Sequence, residues 1–82
     1  MVVLSGLCLF LPFEHWIKVV LIFSHVIVVI TELLNTAVES IVDMASPDFH
    51  LDAKKAKDTA SSAVLMSLVL SGGLWSYALW TL

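Results

Sequence analysis

Apolar residues fill three stretches of the chain, and the polar residues between them predict where each helix stops. Met1 to Leu11 is apolar apart from Ser5 and Gly6, and Pro12 ends the run. As a helix this stretch covers roughly 17 Å, well short of a hydrocarbon core about 30 Å thick. A signal peptide would have a basic start and a small-residue cleavage site, and neither is present. The segment is therefore expected to be the outer end of a membrane helix whose beginning is missing. The second stretch opens at Trp16, and twelve of its first fifteen residues are apolar. Its helical periodicity continues to Asp43, a length of roughly 42 Å, so one end should project from the lipid unless the helix tilts. The third helix is expected over 53–82, entered through a connection at 44–52. Its last twenty residues, Ala63–Leu82, carry no charge and suffice for one crossing.

The polar positions then give an orientation. Lys54, Lys55 and Lys57 lie between the second and third stretches, whereas the connection before Trp16 holds only Glu14 and His15, with Lys18 just inside the helix. Lysine bias predicts that the 44–52 side faces the cytoplasm. Trp16, Trp75, Tyr77 and Trp80 then gather at the opposite interface as an aromatic belt. Lys18 has a stem long enough to snorkel toward that interface.

Composition agrees with this picture. Of 82 residues, 60% are hydrophobic and 13% are charged, which leaves too few polar side chains to cover a small water-soluble domain. The expected fold is all-α: a single integral membrane domain over 1–82, a three-helix bundle with its first helix shortened. Cys8 is the only cysteine, so there is neither a disulfide framework nor a cysteine-based zinc site. A net charge of −3 offers no basic field for nucleic acid. Ala63, Ser67 and Ser71 recur every fourth residue, with Gly72 and Gly73 beyond them. This reads either as a close helix–helix contact or as a helix that simply tolerates small residues. So thin a bundle invites self-association.

The chemistry is concentrated between Glu32 and Asp43. Taking Glu32 as zero, Asn35 falls at about −60°, Glu39 at about −20° and Asp43 at about +20° on a helix, with His25 also near +20°. Glu32 would lie about 24 Å along a helix that enters the membrane at Trp16, and Glu39 about 34 Å. An ionisable side chain at lipid depth is costly, which makes Glu32 with Asn35 and Glu39 a candidate site. Asp43 taken alone fits a solvated acidic helix end equally well, and His25 reads as a packing residue. In the connection, Pro47 suits a first helical position and Asp52 suits the cap of the helix that follows. Lys57 and Asp58 stand a turn before the membrane, with Ser61 on the face of Lys57. Carboxylates can hold magnesium shared with phosphates, an ammonium can neutralise phosphate charge, and a carboxylate at lipid depth can take a hydroxyl proton. No P-loop or kinase-type glycine-rich loop is present, since the only glycines are Gly6, Gly72 and Gly73.

The run Glu32-Leu33-Leu34-Asn35-Thr36-Ala37-Val38-Glu39 with Asp43 resembles the signature of the prokaryotic diacylglycerol kinase family. Phe49-His50, Ala56-Lys57-Asp58 and Ser62-Ala63-Val64 resemble its second motif region. The resemblance covers nearly the whole chain. It implies a homotrimer of three-helix subunits in the bacterial inner membrane, phosphorylating a lipid alcohol with ATP and Mg2+ on the cytoplasmic side. By position it implies Glu32 as catalytic base and lipid contact, Asn35 as a polar active-site residue, and Glu39 as metal and nucleotide ligand. Asp48, Phe49, His50, Lys57 and Asp58 fall where the family contacts ATP, while Ser61 and Lys18 fall at lipid-substrate positions. The family's surface helix and its second metal-binding carboxylate precede the first membrane helix, so catalysis by the shortened chain is an open question. The expected reaction is diacylglycerol to phosphatidic acid; undecaprenol phosphorylation and a non-catalytic membrane interaction protein are the alternatives. A proton channel through His25, Glu32 and Glu39 is disfavoured, because the stripe above His25 is apolar at Ile22 and Ile17.

Overall fold

The computed structural model describes residues 1–45 and 50–82. Among them are three helices and no strand: α1 (Val2–Phe10), α2 (His15–Ala45) and α3 (Leu51–Trp80). Pro12 sets the end of α1. The residue before a proline is pushed out of the helical region, and Leu11 is extended, with φ −71° and ψ 150°. α2 runs for 31 residues with neither glycine nor proline. It is rich in valine and isoleucine, which are modest helix formers in water. In lipid the backbone must satisfy its own hydrogen bonds, and that requirement overrides the weak propensity.

α2 and α3 form a long antiparallel pair, and α1 packs antiparallel on the half of α2 nearer its N-terminus. The molecule is correspondingly a rod of 51 × 19 × 15 Å. Its buried apolar cluster of Cys8, Phe13, Ile17, Leu21 and Ala78, joined by Leu74 and Trp75, lies entirely at one end. We refer to this as the aromatic end and to the other, carrying Glu32–Asp43 and Lys54–Asp58, as the charged end. Large apolar side chains cover the outside, among them Val2, Phe10, Val19, Phe23, Leu33, Met66 and Val69, all exposed. A water-soluble protein does not expose so continuous an apolar surface.

Hydroxyls and rings bind the helices to one another at the aromatic end. Ser24 Oγ donates to its own helix at Leu21 O (2.7 Å) and so must accept the proton of Ser71 Oγ, 3.1 Å away. Thr31 Oγ1 and Ser67 Oγ lie 2.9 Å apart, each also within reach of its own helix's carbonyl at Val28 and Val64. Ser67 and Ser71 are buried against α2, so these two small residues serve a close contact. Gly72 and Gly73 do not extend it, because a Cβ at either would meet no atom within 4 Å.

His25 joins all three helices. Ser5 Oγ of α1 lies 2.9 Å from its Nδ1, and Trp75 Nε1 of α3 donates to its Nε2 at 2.9 Å. An indole N–H can only donate, so Nε2 carries the lone pair and Nδ1 carries the proton that reaches Ser5. The ring planes are 13° apart with centroids 6.0 Å apart, the geometry of side-by-side rings sharing an in-plane hydrogen bond. Trp75 thus turns inward and also meets Phe13 edge-on at 5.8 Å. Of the four residues expected in an aromatic belt, Trp16, Tyr77 and Trp80 are exposed while Trp75 serves the interior. Lys18 Nζ donates to Leu9 O at 3.1 Å, so it satisfies a carbonyl in the last turn of α1.

Candidate functional site

Beyond Val28 no residue of α2 is buried, and before Ser67 none of α3 is. The helices continue side by side with an open groove between them. α2 alone is about 46 Å long, so roughly 16 Å of it exceeds a hydrocarbon core of about 30 Å. Glu32 to Asp43 covers a similar length of the helix, about 16 Å.

On this stretch Glu32, Glu39 and Asp43 are exposed and Asn35 is half-buried. They continue the side of α2 on which His25 sits, but α1 meets that side only as far as the Ser5–His25 contact. Asn35 Nδ2 donates to Glu39 Oε1 over a long 3.4 Å, and Asn35 Oδ1, buried at the groove wall, has no partner among the described residues. The groove has a volume of about 590 Å³. Leu34, Val38, Ala60 and Ala63 give it apolar walls, and Asn35 and Lys55 are among the polar residues beside them. Asn35 thus stands between the carboxylate stripe and the groove.

α3 supplies the cations. His50 is its N-cap, with Nδ1 accepting the N–H of Asp52 at 3.1 Å. The expected cap, Asp52, lies instead in the first turn, where its charge suits the helix N-terminus. Lys54 pairs with Asp58 one turn on, at 2.5 Å. Lys57 reaches across to the carboxylate of Asp43 on α2. It lies outside the uncharged span that starts at Ala63. Its ammonium is held above the ordinary lysine range, first by the hydrogen bond to Asp43, against desolvation that lowers it, and further by the charges of Asp43 and Glu39.

The structure therefore brings Glu39, Asp43 and Lys57 together at the charged end, with Asn35 about one turn and Glu32 about two turns deeper than Glu39 on α2. His50, Lys54 and Asp58 lie on the neighbouring turns of α3. Ser61 is exposed, and its hydroxyl is turned to the carbonyl of Asp58 at 3.1 Å. Lys18 is not part of this group, because it lies about 21 Å of helix from Glu32. Asp48 and Phe49 are outside the described residues. No set of three His, Cys, Asp or Glu side chains converges on a metal position among the described residues. The donors fit a hard cation completed by phosphate and water, as magnesium commonly is, rather than a cage built from protein alone. The partnership of Asp43 with Lys57 escaped the sequence reading, which treated each helix alone. The available signal was antiparallel register, since Asp43–Lys57 and His25–Trp75 are both symmetric about position 50.

A family model described as prokaryotic diacylglycerol kinase matches residues 1–79. Diacylglycerol kinase of Escherichia coli (strain K12) is 38% identical over 64 residues, covering 78% of this chain and 52% of the relative. That of Helicobacter pylori (strain J99) is 46% identical over 54 residues, covering 66% and 42%. That of Haemophilus influenzae is 35% identical over 74 residues, covering 83% and 63%. The chain thus spans about half the length of the curated relatives it matches.

Proposed function

The chain belongs to the prokaryotic diacylglycerol kinase family, and from that premise we propose that it is a subunit of a membrane lipid kinase acting on diacylglycerol. Its two helices long and apolar enough to cross, together with its family, support a membrane location. The charged end is read as lying on the cytoplasmic side of the bacterial inner membrane, in a homotrimer. The observation that carries the reading is the open stripe of Glu32, Asn35, Glu39 and Asp43 along α2, which Lys57 of α3 reaches at Asp43.

In this reading the lipid hydroxyl oxygen bonds to the γ-phosphorus of ATP as the bond from that phosphorus to the β–γ bridging oxygen breaks. ADP leaves, and Glu32 takes the hydroxyl proton. Such a reaction needs positioning and charge neutralisation more than covalent help from the protein. Glu39 would hold Mg2+, whose part is to neutralise phosphate charge. Asn35 orients Glu39, and Lys57 faces the phosphates. The resemblance assigns Asp48, Phe49, His50 and Asp58 to the nucleotide and Ser61 to the lipid substrate. Lys18, far along α2, is assigned to lipid at the opposite interface.

The test is transfer of labelled phosphate from Mg-ATP to diacylglycerol and to undecaprenol in mixed micelles. It is run on this chain and on the chain extended to the length of its relatives, each with a Glu32→Gln control. Phosphatidic acid that disappears with Glu32→Gln is the expected result. Product from undecaprenol alone would change the substrate, and no product on either lipid from folded protein would overturn the kinase reading.

A further inference from the structure

Lys57 has a choice of partners. On its own helix the adjacent carboxylate, Asp58, is already engaged by Lys54 at 2.5 Å, in the favourable one-turn spacing. Lys57 instead crosses to α2, and the residue it meets there, Asp43, lies one turn beyond Glu39 on the carboxylate stripe. Both partners remain partly exposed, with side-chain exposures of 40% and 65%, so the contact adds little to stability. Its value is geometric. A lysine stem has four rotatable carbons, and an unrestrained ammonium at a helix surface samples many positions. An ammonium has three N–H donors, and a single carboxylate oxygen engages one of them.

We propose that Asp43 is a positioning residue, holding the Lys57 ammonium beside Glu39 with two N–H donors left for the phosphate oxygens of a bound nucleotide. The proposal rests on the kinase reading above. Asp43 touches neither phosphate nor lipid; it acts through Lys57. Restraint of Lys57 before the nucleotide arrives lowers the ordering that binding would otherwise require. Because the pair is weak and exposed, phosphate oxygens can share the ammonium without first breaking a buried contact.

The experiment is competitive acetylation of the chain in micelles by trace acetic anhydride, with Lys57 and Lys18 quantified by mass spectrometry. It compares the parent, Asp43→Asn, Asp43→Glu and a distant control, Glu14→Gln. Each is measured without nucleotide and over a Mg-ATP titration. We expect Lys57, and not Lys18, to acetylate about 2- to 5-fold faster in Asp43→Asn, the range an exposed ion pair supports. Half-protection of Lys57 should need a similarly higher Mg-ATP concentration, with Asp43→Glu returning both toward the parent. In the lipid-phosphorylation assay the same variant should raise KM for Mg-ATP with kcat little changed. Unchanged acetylation in Asp43→Asn would overturn the contact. Faster acetylation with unaltered half-protection would overturn positioning and leave a simple helix tie. Absence of any protection by Mg-ATP in the parent would overturn the assignment of Lys57 to phosphate. The kinase reading fails separately, on lack of lipid product.

Discussion

His25 and Glu32 lie on the same side of α2, two turns and about 20° apart, yet their surroundings are opposite. Around His25 the helices close. One ring nitrogen meets Ser5 of α1, the other takes the indole N–H of Trp75, and the residue is 2% exposed. Around Glu32 the helices stand open, and its side chain is on the surface. A polar group whose hydrogen bonds are all met by its own chain can fix geometry but has nothing left for a ligand. The groups at the charged end are the reverse: Glu32 and Glu39 are exposed, and Asn35 keeps an unsatisfied oxygen. Polar residues in an apolar helix therefore fall into two kinds, and their surroundings rather than their residue type decide which.

The sharpest way to break this comparison is to exchange carboxylate for amide at the open end. Glu32→Gln should lower lipid phosphorylation by about 10²- to 10⁴-fold, the usual range for loss of a positioned acid–base group, and Glu39→Gln should lower it through loss of the charged donor for the metal. Helical content and the unfolding midpoint in micelles should stay close to the parent's, because neither carboxylate is buried. A variant that lost activity only in proportion to its unfolding would place Glu32 among the structural residues with His25.

At the closed end the expectation reverses. His25→Leu leaves the Trp75 N–H and the Ser5 hydroxyl without their partner in an apolar interior, a loss of about 1–3 kcal/mol. Unfolding in mixed micelles should show the loss, accompanied by a change in Trp75 emission. His25→Gln should recover part of it, since an amide oxygen can accept from Trp75 and its NH2 can donate to Ser5. If His25→Leu unfolds like the parent, the three-helix clasp contributes nothing and the comparison fails at this end.

What was legible in the sequence follows the same division. Helices and their number came from apolar runs and from Pro12, because those signals are local. The Glu32–Asn35–Glu39 arc could be drawn because helical periodicity puts residues four and seven apart on one side. The partners of His25 could not, since Ser5 and Trp75 lie 20 and 50 positions away and meet it only through packing. Asp43 taken alone fits a solvated helix end as well as a site, and its bond to Lys57 depends on how α3 returns along α2. Residue preference puts the cap of α3 on Asp52, yet the backbone turns into the helix earlier and His50 fills the position. Residue-type preference is a weak guide where two neighbouring polar side chains can both serve.

A smaller effect is expected at Ser71, buried one turn inside Ser67, where closed packing gives way to the open groove. Ser71→Ala removes the proton that Ser24 Oγ accepts, while Ser24 keeps its bond to Leu21 O. Interhelical hydrogen bonds in membrane proteins contribute about 0.6 kcal/mol on average. Loss of that order in the micelle unfolding experiment, well under the His25→Leu effect, would mark Ser71 as auxiliary to the clasp. An equal or larger loss would move the centre of the closed end from the His25 rings to the hydroxyl contacts.

The smallest effect should come from pH at the open end. Lys57 is the titratable group there whose protonated form the fold favours, through Asp43 first and Glu39 after it. Its folded value lies above the unfolded value of 10.5, so the folded state binds this proton more tightly than the unfolded chain does. Its contribution is fully present below the ordinary lysine range and is lost as pH rises through the folded value. Between neutrality and about pH 9 the pair should therefore add no pH dependence to unfolding, and its loss should begin only as pH enters the lysine range. Because the pair is exposed, 0.5 M salt should erase most of even that small dependence. The check is to subtract the unfolding midpoints of Asp43→Asn from those of the parent between pH 7 and pH 11, at low and high salt. A difference that is flat to the lysine range and then shrinks fits a weak tie that phosphate can share. A large, salt-resistant difference would mean that Asp43–Lys57 is a second closed clasp, and the charged end would no longer be the open half of the molecule.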